Sequence, residues 1–107
     1  MLVSTTNDIP GHRTVRHIGL ARGITVRSRS LVGNFAGGIQ SLFGGKLSIY
    51  DNLAEAARVE AYNALTEHAL KMGANAIIGM RYDANEIMDG ITEVLAYGTA
   101  VEVVAEG

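Results

Sequence analysis

Residues 66–84, TEHALKMGANAIIGMRYDA, constrain the fold more than any other stretch of this chain. A helical pattern runs into Gly73, and an apolar strand, Ala76 to Met80, follows almost at once before acquiring Arg81, Tyr82 and Asp83. A helix stop joined so closely to a strand fixes a mixed organisation of helix and sheet. It also puts polar groups at a strand's end, where binding sites often lie.

The helix is framed by Asp51 and Asn52, which supply N-cap chemistry, and by Gly73 as its stop. Its spacing sets Leu53, Ala57, Ala61, Ala64, Leu65, His68 and Met72 on one face, a stripe of small residues that lets a sheet come close. Glu67 and Lys71 form an i, i+4 pair on the outer side. Before the helix, Met1 to Thr5 reads as a short strand closed by the turn-forming Asn7, Asp8, Pro10 and Gly11. Thr14 to Arg27 reads as a long strand interrupted at Gly19 and Gly23, which mark bulges or a bend. After the helix come Ala76 to Asp83 and Ile91 to Val104. The last strand alternates Leu95, Tyr97, Val101 and Val103 with Val94, Ala96, Ala100 and Val104, apolar on both sides. A strand apolar on both sides is covered on both sides. One helix covers one, so the glycine-rich segment or another copy must cover the other.

The glycine-rich segment, residues 30–48, places Leu31, Phe35, Ile39, Leu42 and Phe43 at helical spacing. Its glycines, however, cost a helix about 1 kcal/mol each relative to Ala. Short helical turns or a folded loop are expected. Walker A chemistry is excluded, because Gln40 stands where its first Gly must be and Leu47 replaces the metal-binding hydroxyl.

A chain of 107 residues makes one domain, 1–107, with a small core, and burial against copies of itself would add to it. Charge is divided along it. Residues 1–50 hold six basic residues and one acid, a net +5, whereas 51–107 hold three basic residues and ten acids, a net −7. A basic half faces a polyanion or the acidic half of a neighbouring copy. The overall charge of −2 and an aromatic content of only 6% favour the second and argue against nucleic acid. Cysteine is absent, which removes disulfides, thiolate nucleophiles and thiolate metal ligands. A reducing cytoplasm is the expected setting, since MLVSTTNDIPGHR lacks a signal peptide's basic start and apolar run and no stretch nears the roughly 20 apolar residues that span a bilayer.

No GxSxG surrounds a serine and nothing resembles a catalytic triad, so no catalytic residue is assigned and an enzyme is not the expected reading. His12, His17 and His68 form no HxH or HExxH pattern. His68, on the helix's apolar face, reads first as a hydrogen-bonded core or interface residue, and His17 as a solvated strand residue. Asp83, Glu86 and Asp89 in DANEIMDG could hold a hard cation, but Ile87 breaks the EF-hand pattern, and a solvated acidic hairpin loop is expected. Candidate metal ligands are therefore His17, His68, Asp83 and Glu86, joined across copies rather than within one chain.

The stretches SLFGGKLSIYDNLAEAARVEAYNAL, HALKMGANAIIGMRYD and VLAYGTAVEV, with the opening MLVSTTNDIPG, resemble the YbjQ family of small bacterial and archaeal proteins over essentially the whole chain. Lys46 stands where Arg is more usual, which keeps the charge. The resemblance implies an α+β fold like a dodecin subunit: a β-α-β-β core with extra short strands and one long helix on a small sheet. It also implies assembly into a ring, most often of five copies, and a heavy-metal-binding label. Without cysteine such a metal would find only Met sulfur and nitrogen or oxygen donors. The leading functional expectation is a homo-oligomeric binding protein holding a small ligand or metal ion between copies, with Arg58, Arg81, Asp83, Tyr97 and Thr99 lining the site. An enzyme with an acid–base site between copies, or an oligomeric scaffold, stands behind it.

Overall fold

The structure, a computed structural model, describes residues 1–28 and 48–106. Its elements in order are β1 (Leu2–Val3), β2 (His12–Ser28), α1 (Ser48–Lys71), β3 (Ala76–Met88) and β4 (Ile91–Ala105). The strands make one mixed sheet in the order β1-β3-β4-β2. In it β1 runs parallel to β3, and the β3–β4 and β4–β2 pairs are antiparallel. Among the described residues one helix packs on one face of this sheet, giving the expected α+β fold.

The helix is placed by its small residues. Ala57, Ala61, Leu65 and Ala69 are buried at i, i+4 spacing, and beneath them lie Ala21, Val94, Ala96 and Ala100 of the sheet. Gly23 is where the two layers touch. A Cβ built there would lie 2.2 Å from both the Ala61 carbonyl oxygen and the Leu65 amide nitrogen, so the helix backbone rests directly on the strand. The sequence reading of Gly23 as a bulge is corrected. Its register with Ala96 is regular, and the bulges fall at Thr14/Arg16 and His17/Gly19. Gly23 is small for clearance, not for bending.

At its far end the helix closes as expected at Gly73, whose φ of +92° is left-handed. The Ala74 amide donates to the Ala69 carbonyl and the Gly73 amide to the Leu70 carbonyl, both at 3.0 Å, which satisfies two of the last carbonyls. Asn75 then makes the turn into β3. Its side-chain amide donates to the Val103 carbonyl at 2.9 Å and accepts from the Val103 amide at 2.8 Å, so it pairs with β4 as a strand backbone would. The other end differs from expectation. The helix starts at Ser48, ahead of the Asp51 and Asn52 that the sequence offered as its caps.

β3 also differs. It runs on to Met88 rather than stopping at Asp83, and DANEIM is exposed strand rather than loop. Only Asp89 and Gly90 turn the chain, with Met88 opposite Ile91. An Asp-Gly dipeptide suffices for a two-residue hairpin, which is why no longer loop forms. The turns expected of the glycine-rich segment lie outside the described residues.

The second face of the sheet has its own small core. Ile9, on the loop between β1 and β2, covers Ala76, Ile78, Val101 and Val103. Part of the cover that the sequence assigned to the glycine-rich segment or another copy thus comes from the N-terminal loop. The molecule's longest dimension is 57 Å and its radius of gyration 17.3 Å, against about 13 Å for a compact chain of this length. A 24-residue helix spans roughly 36 Å, so the sheet outruns its cover. No helix among the described residues is long and apolar enough to cross a membrane.

Replacing Gly23 by Ala should lower the unfolding free energy by about 3 kcal/mol, the upper end for an overpacked site. Urea unfolding followed by circular dichroism would show it. A midpoint within error of the wild type would remove the direct helix–strand contact.

Candidate functional site on the open sheet face

On β2, residues alternate between the helix side, with Ala21, Gly23 and Thr25 buried, and an open side, with Leu20, Ile24 and Val26 exposed by 63, 45 and 50%. The register carries that open side across the sheet: Leu20 is opposite Thr99, Arg22 opposite Tyr97, Ile24 opposite Leu95 and Val26 opposite Glu93. β3 continues each row, with Arg81 opposite Tyr97 and Asp83 opposite Leu95. A shallow groove of about 450 Å³ lies here, walled by Leu20, Ile24, Leu95 and Tyr97 and carrying Arg22, Asp83 and Glu93.

Four of the five residues expected to line a site, Arg81, Asp83, Tyr97 and Thr99, therefore come together on this face. Arg58 does not join them. It is on the helix side of the sheet, at a cavity of about 380 Å³ with Leu53, Ala57, Ala84, Val94 and Arg27. Its neighbour there is Tyr82, whose phenol is pushed above its usual pKa, first by burial and then by Tyr62 and Glu55, with Arg58 opposing. The sequence reading missed Arg22, Glu93, Leu20 and Ile24. The signal was present in the period-two alternation from Leu20 to Val26, which the two glycines obscured.

Several of these polar groups already have structural work. Arg81 Nη1 donates to the Thr5 and Met80 carbonyls, each at 2.8 Å, and ties the N-terminal segment to β3. Asp83 accepts from the Ala84 amide and from Asn85 Nδ2, both at 3.0 Å, and Glu86 accepts from the Gly90 amide at 2.9 Å. His68 is half-buried, as expected of a hydrogen-bonded histidine at this position. Its Nδ1 lies 3.0 Å from the Arg22 amide nitrogen and accepts that edge N–H. His17, opposite Val101, is exposed.

The matching family profile spans residues 1–104 and is described as "Putative heavy-metal-binding". Curated relatives cover nearly the whole chain: a UPF0145 protein of Chromobacterium violaceum is 59% identical over 95% of this chain and 87% of its own length. One from Burkholderia thailandensis is 58% identical over 99% and 96%.

The chain belongs to the YbjQ family.

A solved DUF74-family protein from Pediococcus pentosaceus shares the fold, with a TM-score of 0.63 at 15% identity over 97% of this chain and 98% of that one. The stretches that carry the YbjQ resemblance have visible structural roles. GANA supplies Asn75 and the helix stop, and YGTAV supplies Tyr97 and Thr99 to the open face.

The donors of one chain do not fit a heavy-metal site. No three of the His, Asp and Glu side chains converge among the described residues, and the sequence has no Cys. The candidates His17, His68, Asp83 and Glu86 are distributed over three elements. His68 has its Nδ1 on the Arg22 backbone, while Met80 is buried in the core. A metal would need donors from more than one copy.

One polar cluster lies off the open face and is structural. Thr25, 4% exposed, donates to Glu60 Oε1 at 2.9 Å and accepts from Arg27 Nη1 at 3.0 Å, while Arg27 also pairs with Glu60. This pins α1 to β2. The Arg27 and Thr25 hydrogen bonds hold the Glu60 carboxyl below its ordinary value of 4.5. A carboxyl depressed in the folded state stabilises it fully above the unfolded value, and that contribution fades as pH falls through the folded one. Glu60→Gln should therefore be less stable than the wild type in urea at pH 7, and the gap should close toward pH 3. A gap independent of pH would show that the charge is not responsible.

Proposed function

We propose that the protein is a homo-oligomeric binding protein, a ring in which the open sheet face of each copy is covered by another copy and a small ligand is held between them. The observation that carries this reading is the open face itself. Exposed Leu20, Ile24 and Val26 stand in one row beside Leu95 and Tyr97, on a sheet whose other face is already covered by its own helix. Apolar side chains aligned in this way across strands are a surface for another layer, not for water. The groove has an apolar wall, one aromatic ring and charges of both signs. It suits a small ligand with an apolar body and polar ends, held by Arg22, Asp83, Glu93 and Tyr97, with Arg81 and Thr99 on the same face beside the groove. A five-membered, dodecin-like ring is the form that the family resemblance favours. The heavy-metal description of the family enters this reading only if donors of different copies meet at the interface. This reading assigns no catalytic residue.

Native mass spectrometry of the untagged protein with elemental analysis tests it. The expected result is a multimer carrying a small molecule, or a metal ion, in fixed ratio. Leu20→Glu with Ile24→Glu should shift the protein to smaller species while its circular dichroism is unchanged. A wild-type chain that is monomeric at micromolar concentration would end the reading, and an empty multimer would end its ligand half.

A further inference from the structure

The layer between helix and sheet is filled unevenly. Where α1 rests on Gly23, Ala61 and Leu65 are fully enclosed, and Met72 packs against the same cluster farther on. Leu53 lies about two turns before Ala61, roughly 12 Å back along the helix axis. There the facing side chains are too short to meet. On the sheet the register sets Thr25, Val94 and Ala84 in one row, and Arg27 beside Thr92 in the next. Against them the helix offers Leu53, Ala54, Ala57 and Arg58, and a cavity of about 380 Å³ remains between the layers. That volume falls in the range of small-molecule sites, about 300–1,000 Å³. Apart from Thr92 and the two arginines the walls are apolar, and among the described residues no carboxylate lines them.

The two arginines are not equivalent. Arg27 is committed: its Nη1 donates to Thr25 Oγ1 and to the Val26 carbonyl, and its Nη2 pairs with Glu60. Arg58 is exposed at the mouth and, among the described residues, pairs with no carboxylate, Glu55 one turn earlier included. Glu86, in the Thr92 row, is engaged by the Gly90 amide. One guanidinium at the cavity is therefore left without a counter-ion, and its forked donors match a carboxylate.

We infer that this cavity is a second binding site, taking a small molecule with an apolar body and a single carboxylate, which Arg58 receives at the mouth while the body lies between Ala54, Ala57, Ala84 and Val94. The site is on the opposite side of the sheet from the groove of Leu20 and Tyr97 and needs no second copy, so it does not rest on the reading above. Apolar surface removed from water along the body supplies affinity, and the Arg58 pair fixes which end faces out. A second carboxylate on the ligand would find its cation already taken, because Arg27 is paired with Glu60. The cavity thus selects a monoanion. Alkyl and aryl acids share this chemistry.

Isothermal titration calorimetry of the full chain with octanoate, naphthoate and octanol tests it. The wild type should bind at least one of the two acids saturably, and that acid more tightly than octanol; the preferred acid tells an alkyl ligand from an aryl one. Arg58→Gln should weaken acid binding about tenfold or more, the loss of a charge-assisted hydrogen bond, and leave octanol unchanged. Ala54→Leu, which fills the cavity from an exposed position with another good helix former, should abolish binding of acid and alcohol alike. Ala84→Leu fills it from the strand and should do the same, which covers the case in which one variant fails to fold by circular dichroism. Leu20→Glu with Ile24→Glu, on the other face, should bind the acid as the wild type does. No saturable binding of either acid, equal affinity for acid and octanol, or binding that survives both leucine variants would each overturn the inference. Binding lost in the open-face variant and kept in the leucine variants would also overturn it, and would assign the ligand to the groove.

Discussion

Everything in this molecule hangs on the helix backbone resting on Gly23. That contact fixes the height of α1 above the sheet, and the height decides which side chains fit beneath it. Alanines fill the layer at positions 21, 57, 61, 69, 96 and 100, and Leu65 is the largest residue fully enclosed there. A side chain at position 23 would lift the helix by the width of a methyl group. The alanine layer would then hold a gap, which costs free energy in proportion to its volume. The Thr25–Glu60–Arg27 cluster and the His68–Arg22 hydrogen bond sit on either side of the contact, and both need the helix at this distance.

The fold was largely legible in the sequence because its signals are local. Gly73 needs a left-handed backbone, the alanine stripe repeats at helical spacing, and β4 alternates on both faces. Of the candidate residues, the strand positions of Arg81, Asp83, Tyr97 and Thr99 on β3 and β4 were legible, because they follow apolar runs whose register is readable. What escaped depended on contacts distant in the chain. Gly23 looked like Gly19, since nothing in its neighbours says that Ala61 and Leu65 will press on it. Arg58 was expected beside those four residues, and the helix places it on the other side of the sheet. The length of β3 was misjudged because Asp83, Asn85 and Glu86 crowd polar groups just ahead of the Asp89-Gly90 turn, and polar residues on an edge strand read as a loop.

A thin sheet with a helix on one side has two inequivalent surfaces, and this chain uses them differently. The helix side is closed by small residues and one polar cluster. Among the described residues the opposite side is closed only near Ile9, and its remaining apolar row ends in charged edges of opposite sign. The uneven charge visible in the sequence thereby acquires a spatial meaning. The basic half of the chain ends as one border of the sheet, and much of the acidic half's charge lies toward the other.

The bond from the Arg22 amide to His68 Nδ1 joins those surfaces. Arg22 points its side chain into the groove, yet its backbone is held by a residue on the helix packed against the other face. A sheet one layer thick has no interior to absorb a displacement, so a ligand or neighbour that shifts Arg22 pulls on the imidazole directly. The positions of Arg22 on the strand and His68 on the helix are therefore tied together by a single hydrogen bond.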